Sequence, residues 1–435
     1  MEEWQFLLLK TTAPLAVVLV AGRFALPLSI SLFLAGLTVS WLFDFGFSRT
    51  FQVFSESILS SATLTITLAV ALIAVFNGLL GHGDRLRRVA DIMERTLSSM
   101  TARLAFFPVL IGLLPMPGGA VFSAPMVDAV AAAGMRPIDR AVVNYWFRHC
   151  CEYCWPLYPS LVLLAALTGW PISRLALAFI PVSLAALLLG WLYILLVTFH
   201  GRKNPEHTVP ESIASDAEAV ASSVSGFGPL AAELWPLITV IILFSTAERY
   251  IRLSAVKAPA GLSLVISMTV TLLIMVGLIP GAMSRIRATV SRGNFWSLTT
   301  SVIGIMYFKE AMGASGVAAS LSTALPSAGH ARIAALIFTF VSGLVLGYCP
   351  GMVGTAFPLV VKVIPQVNGL PSLSWILSAF AVGFAGVLMS PAHLCIILTR
   401  DYFQASTAAL WARSFLLTFL IVSFALIYAF AFLGP

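Results

Sequence analysis

Leu114-Pro115-Met116-Pro117-Gly118-Gly119-Ala120-Val121-Phe122-Ser123-Ala124-Pro125-Met126 breaks an apolar part of the chain, and Cys349-Pro350-Gly351-Met352-Val353-Gly354-Thr355-Ala356-Phe357-Pro358 breaks another with the same spacing. Pro117 is followed by Pro125 after 8 residues and Pro159 after a further 34; Pro350 is followed by Pro358 after 8 and Pro391 after a further 33. Proline has no backbone donor and glycine adopts conformations closed to other residues, so each Pro-Gly pair ends a helix and opens backbone groups. In lipid such groups are costly unless they line a cavity, and a matched pair of breaks in two halves points to the binding site of a secondary transporter.

The composition places these breaks in a membrane. Of 435 residues, 59% are hydrophobic and 10% charged, and the mean hydropathy is +0.97, values foreign to a soluble domain of this length. The net charge of +7 sets orientation in a polytopic protein, so no nucleic-acid partner is expected. The acidic Met1-Glu2-Glu3 start and Lys10 differ from a cleaved signal peptide, and the first apolar run is expected to stay as a helix.

Working outward, apolar runs of spanning length lie at 5–22, 24–43, 53–80, 143–168, 172–199, 228–247, 259–279, 295–313, 371–399 and 411–433. Between them, arms at 103–114 and 119–133 flank the first break, and arms at 331–348 and 353–364 flank the second. At about 1.5 Å per residue such an arm reaches about half way across the hydrocarbon. The expectation is an all-α polytopic membrane protein, an inverted-repeat secondary transporter with two re-entrant hairpins and two broken helices. Its first repeat is 1–199 (hairpin 102–133, broken helix 143–168), its cytoplasmic linker 200–227, and its second repeat 228–435 (hairpin 331–364, broken helix 371–399). Five crossings plus a hairpin in each half insert the second half upside down.

Basic residues agree with this orientation. With both termini outside the inner (cytoplasmic) membrane, 15 of the 25 Lys and Arg fall in cytoplasmic loops, among them Arg85, Arg87, Arg88, Arg95 and Arg103. Seven fall outside, with Arg249, Arg252 and Lys257 as a local exception.

At the tips, a helix N-terminus with open amides attracts an anion. The substrate-binding set is therefore Pro117, Gly118, Gly119 and Ser123 at one tip and Pro350, Gly351, Gly354 and Thr355 at the other, with Pro159, Ser160, Ser390, Pro391 and His393 at the broken helices. A plainer reading makes these residues kinks and close-packing positions. Arg148-His149-Cys150-Cys151-Glu152 is a costly polar run inside an apolar span. Arg148 is a candidate counter-charge for a carboxylate, and His149 or Glu152 a candidate proton carrier; alternatively Arg148 and Glu152, four apart on a helix, pair with each other. His393 matches Leu161 by its distance from the proline, and is either a ligand or an imidazole satisfied by a nearby carbonyl. Lys309 and Glu310 point different ways and need separate partners, while Glu233 and Asp128 are expected near water. Cys151-x-x-Cys154 has a metal-like spacing, yet cysteines in membrane helices are chiefly small packing residues, and no metal or disulfide is expected.

Leu114 to Met126, together with Gly386-Val-Leu-Met-Ser-Pro-Ala-His-Leu-Cys395, resembles a prokaryotic integral membrane family, domain of unknown function 401. The architecture is similar to the ion transporter superfamily of gluconate, citrate and dicarboxylate permeases, arsenite exporters and sodium/proton antiporters. That resemblance implies a moving unit of hairpins and broken helices, alternating access and a homodimer. Dicarboxylate members carry Ser-Asn-Thr type tips, whereas this chain has Pro-Gly-Gly and Pro-Gly-Met, so their ligands do not transfer by position. The chain is thus expected to be a permease of a small organic anion in the lipid bilayer, coupled to sodium or protons, with no other cofactor. The alternative is an inorganic ion exchanger or metalloid exporter. No His-Glu-x-x-His, Walker-type loop or Asp-rich metal pair suggests an enzyme.

Overall fold

The computed structural model describes residues 10, 12–18, 20–21, 24, 26–81, 85–114, 119–131, 135–201, 226–254, 258–316 and 328–434. Pro117, Gly118 and positions 202–225 of the expected linker lie outside them.

The first half forms α1 (Leu28–Leu42), α2 (Gly46–Leu59), α3 (Ser61–Leu80), α4 (Arg85–Thr96), α5 (Met100–Gly112), α6 (Ala120–Val130), α7 (Pro137–His149), α8 (Pro159–Thr168) and α9 (Ile172–Gly201). The second forms α10 (Phe227–Leu253), α11 (Leu262–Leu278), α12 (Ala282–Val290), α13 (Gly293–Ala314), α14 (Ala328–Leu346), α15 (Cys349–Val363), β1 (Gln366–Val367), β2 (Leu370–Pro371), α16 (Leu373–Leu388), α17 (Leu394–Phe403) and α18 (Thr407–Phe432).

The protein is helical and membrane-embedded, with three departures from the expected elements. The run 53–80 is two helices, because Ser60 is extended and its hydroxyl caps α3 by accepting the Thr63 N–H at 3.2 Å. A small β-hairpin follows α15, where Asn368 and Gly369 both take positive φ and supply the two-residue turn. The second break lies earlier than Pro350-Gly351. Gly347 turns the chain at φ +61°, and Pro350 sits in the first turn of α15, where its missing N–H costs nothing.

Length and burial sort the helices. α3, α9, α10 and α18 are long and apolar enough to cross a membrane, and only 22% to 28% of the apolar windows of the last three is buried. By contrast, α8 spans 10 residues and α15 15, and nearly every side chain of both is buried. Short helices apolar on all sides thus form the interior, and longer helices shield them.

Contacts repeat between the halves. α5 packs on α6 and α7 as α14 packs on α15 and α16, and each second arm crosses over: α6 meets α17, and α15 meets α8. Bare glycines allow the close approach of α14 and α16, since a Cβ on Gly343 would strike the Gly383 carbonyl and one on Gly386 the Phe340 carbonyl. Gly112 of α5 meets the Arg148 carbonyl of α7 in the same way.

Gly386→Ala is expected to destabilise the protein by about 1–3 kcal/mol, since backbone cannot give way as a side-chain tip can. Gly277→Ala on α11, where a Cβ would meet nothing within 4 Å, is the control. Thermal unfolding in detergent should show a lower Tm for the first variant alone; equal Tm values would refute the close-crossing account.

Candidate functional site

Pro156 and Pro159 stop the fourth apolar run from continuing as one helix. α7 ends at His149, residues 150–158 make irregular turns, and α8 starts on Pro159. Arg148 and Glu152 therefore do not share a helical face, and the ion pairs closer than 4.0 Å among the described residues do not include them. This corrects the i,i+4 expectation. Glu152 instead lies buried in the irregular turns after α7, outside that helix.

The second broken helix parts between Leu388 of α16 and Leu394 of α17, and His393 is the residue before α17. His393 Nδ1 lies 2.7 Å from the Gly347 carbonyl oxygen at the end of α14. In the first half the Tyr158 hydroxyl donates to the Gly112 carbonyl at the end of α5. Both bonds span 46 residues. His393 thus performs the task of Tyr158, and its expected match to Leu161 is corrected: spacing from proline aligned the wrong residue.

The two breaks meet. His149 Nε2 is 3.1 Å from His393 Nε2, and His149 Nδ1 is 2.6 Å from the Tyr145 carbonyl oxygen. Arg148 Nη1 lies 3.3 Å from His149 Nε2. The Tyr145 hydroxyl donates to the Leu388 carbonyl at 2.7 Å, and Asn144 Nδ2 donates to the Ala120 carbonyl and the Thr399 hydroxyl at 3.3 and 3.2 Å. Arg148, His149, Glu152 and His393 are 2% to 8% exposed, so charge here is shielded from bulk water.

The remaining expected residues divide between this junction and packing. Gly119 precedes α6, and a Cβ there would come within 2.9 Å of Arg148 Nε and Nη2, so the bare glycine admits the guanidinium to the helix N-terminus. Ser123 and Ser390 are spent locally: the Ser123 hydroxyl donates to the Ala120 carbonyl at 3.4 Å, and the Ser390 hydroxyl accepts from the Ala392 N–H at 3.1 Å. Gly354 faces Ile305 of α13 and Gly351 faces Leu28 of α1, so packing accounts for both. Thr355 is buried, with no partner for its hydroxyl among the described residues. Pro159 and Ser160 are buried, whereas Pro391 is exposed. Lys309 and Glu310 lie 3.7 Å apart and pair with each other, contrary to expectation, because long side chains bridge adjacent positions. Glu233 pairs with Arg88 at 2.6 Å and Asp128 with Arg140 at 2.7 Å.

Sequence reading missed Asn144, Tyr145 and Asp139. Asp139 is fully buried and accepts from Tyr193 at 2.7 Å, Arg136 at 2.8 Å and Arg413, tying α7 to α9 and α18. Its position two residues after Pro137 in a helix's first turn was the available signal. All five cysteines are free. The donor atoms of His149, His393 and Cys395 lie within 4.8 Å of one another, the donor types of a soft-metal set, but the Arg148 cation beside His149 Nε2 opposes a metal ion there. A cavity of about 330 Å³ is lined by Trp170, Glu248 and Arg252, among others, and includes no residue of this junction.

The family model described as protein of unknown function, DUF401, matches residues 9–431. The chain belongs to this family. None of the curated proteins compared matches this DUF401 chain. Among solved structures it is similar to the YdaH transporter of Alcanivorax borkumensis, described as having an unusual topology, with 14% identity over 88% of this chain and 89% of that one and a TM-score of 0.43.

Asp139→Asn is expected to cost roughly 3 kcal/mol, at the low end for a broken buried pair because Arg136 and Arg413 keep contact with solvent. Thermal unfolding at low and high salt checks it; unchanged stability would reduce the cluster to a surface feature.

Proposed function

We propose that this DUF401 protein is a secondary active transporter of a small organic anion such as a carboxylate, working by alternating access and coupled to sodium or protons. The observation that carries the reading is Arg148, a buried guanidinium held at Gly119 beside the N-terminus of α6. A buried cation at a helix N-terminus suits a carboxylate. Thr355 of α15 has a buried hydroxyl without a partner among the described residues.

In this reading α5–α6 and α14–α15 are re-entrant hairpins entering from opposite faces, and α7–α8 and α16–α17 are the broken helices of an inverted repeat. The matched contacts and the two 46-residue caps support it. Similarity of architecture to the ion transporter superfamily, a homodimer and an inner-membrane location with both termini outside belong to the same reading. The His149, His393 and Cys395 donors favour the alternative, a metalloid exporter or inorganic ion exchanger.

Proteoliposomes given labelled mono-, di- and tricarboxylates under an imposed sodium or pH gradient separate the two. Gradient-driven uptake of a carboxylate is expected, and Arg148→Gln should reduce it roughly 10- to 100-fold, the worth of a charge-assisted hydrogen bond. Arsenite or sodium/proton exchange with no carboxylate uptake would overturn the proposal. For topology, cysteines introduced beside Gly119 and Pro350 should label from opposite sides; labelling of both from one side would remove the inverted repeat.

A further inference from the structure

We propose that His149 and His393 hold a single proton between their Nε2 atoms, and that this pair, one imidazole from each half, is the coupling site; the coupling role rests on the transporter reading above. A carbonyl oxygen only accepts hydrogen bonds. Since His149 Nδ1 faces the Tyr145 carbonyl and His393 Nδ1 faces that of Gly347, both Nδ1 atoms carry hydrogen. A guanidinium only donates, so the Arg148 contact makes His149 Nε2 an acceptor. The second nitrogen at 3.1 Å must then supply the hydrogen, which puts two protons on His393 and makes it the imidazolium of the pair. Without that proton two lone pairs would face each other in a dry interior.

The surrounding groups fit one added positive charge. Arg148 is a cation 3.3 Å from His149 Nε2, Glu152 is a buried acid three residues beyond His149, and the Cys395 sulfur lies within 4.8 Å of a ring nitrogen of each histidine. The Tyr145 hydroxyl is committed to the Leu388 carbonyl, and the side chain packed on His149 from α16 is the apolar Phe384. Arg148 and the shared proton exceed the Glu152 carboxylate by one charge, which an anionic substrate neutralises. Loss of the proton from His393 Nε2 leaves two neutral imidazoles with opposed lone pairs, and the junction between the halves changes from attraction to repulsion. Proton binding thereby favours the closed junction and proton release the parted one.

Histidine ¹⁵N NMR of the labelled protein in lipid nanodiscs at pH 7 tests the site without any substrate, with His149→Gln and His393→Gln supplying assignments and thermal unfolding confirming that both fold. The expected spectrum has three protonated nitrogens in the pair and a scalar coupling between the two Nε2 atoms. In His393→Gln, His149 should remain a neutral Nδ1–H tautomer and the coupling should vanish. Two unprotonated Nε2 atoms in the wild type would overturn the proposal, as would one Zn²⁺ or Cu⁺ bound per chain and lost in both variants. In proteoliposomes, His393→Gln should abolish pH-driven accumulation of a carboxylate while substrate counterflow continues. Unchanged accumulation would overturn the coupling role and leave the NMR result standing. Absence of uptake by the wild type would refute the transporter reading and, with it, the coupling role.

Discussion

A helix that stops inside a membrane leaves carbonyls with no water to satisfy them, and the interior of this protein is arranged around closing those few groups. Gly112 ends one arm and Gly347 another, and each carbonyl is capped by a side chain from a broken helix 46 residues away. Leu388, at the end of α16, is capped by Tyr145 from the opposite half. These bonds tie the end of α5 to the start of α8, the end of α14 to the start of α17, and α7 to the end of α16. The bare glycines let the same elements approach closely, Gly112 against the Arg148 carbonyl and Gly343 and Gly386 between α14 and α16.

Equivalent positions are filled with different chemistry. A phenol closes the first arm and an imidazole the second, and only the imidazole has a second nitrogen with which to face another residue. Structural duty therefore fixes the ring of His393 and its Nδ1 hydrogen, and what is left over at Nε2 is directed at His149. Function in the proposed cycle depends on that remainder. A residue held this firmly presents its other edge with little conformational entropy to lose, which is how second contacts tune a site.

The helical membrane class, the paired breaks and the polar run at Arg148 to Glu152 were legible because each rests on local chemistry: hydropathy over some twenty residues, proline without a donor, charge in an apolar span. What escaped depends on folding back. Asn144 and Tyr145 read as ordinary members of an apolar run, and nothing local tells that their polar ends meet Thr399 and Leu388. The sequence points to Pro350 for the second break because proline reads as a stop, whereas a first-turn proline starts a helix and the glycine with positive φ is Gly347. His393 was misaligned for a related reason: proline spacing counts residues, while the cap is set by which side chain reaches a given carbonyl.

Crosswise packing of α6 on α17 and α15 on α8 constrains how such a molecule can move. Sliding one half past the other would strip the second arms from half-helices that their own half does not supply, exposing backbone at two places together. In the proposed cycle, rotation of hairpins and broken helices as a unit keeps those contacts and changes the unit's outer face against the long helices α9 and α18, whose surfaces are apolar and tolerant of lipid. In that proposed cycle the charge balance among Arg148, Glu152 and the two histidines decides when movement is permitted, because an unbalanced charge cannot be carried cheaply through hydrocarbon.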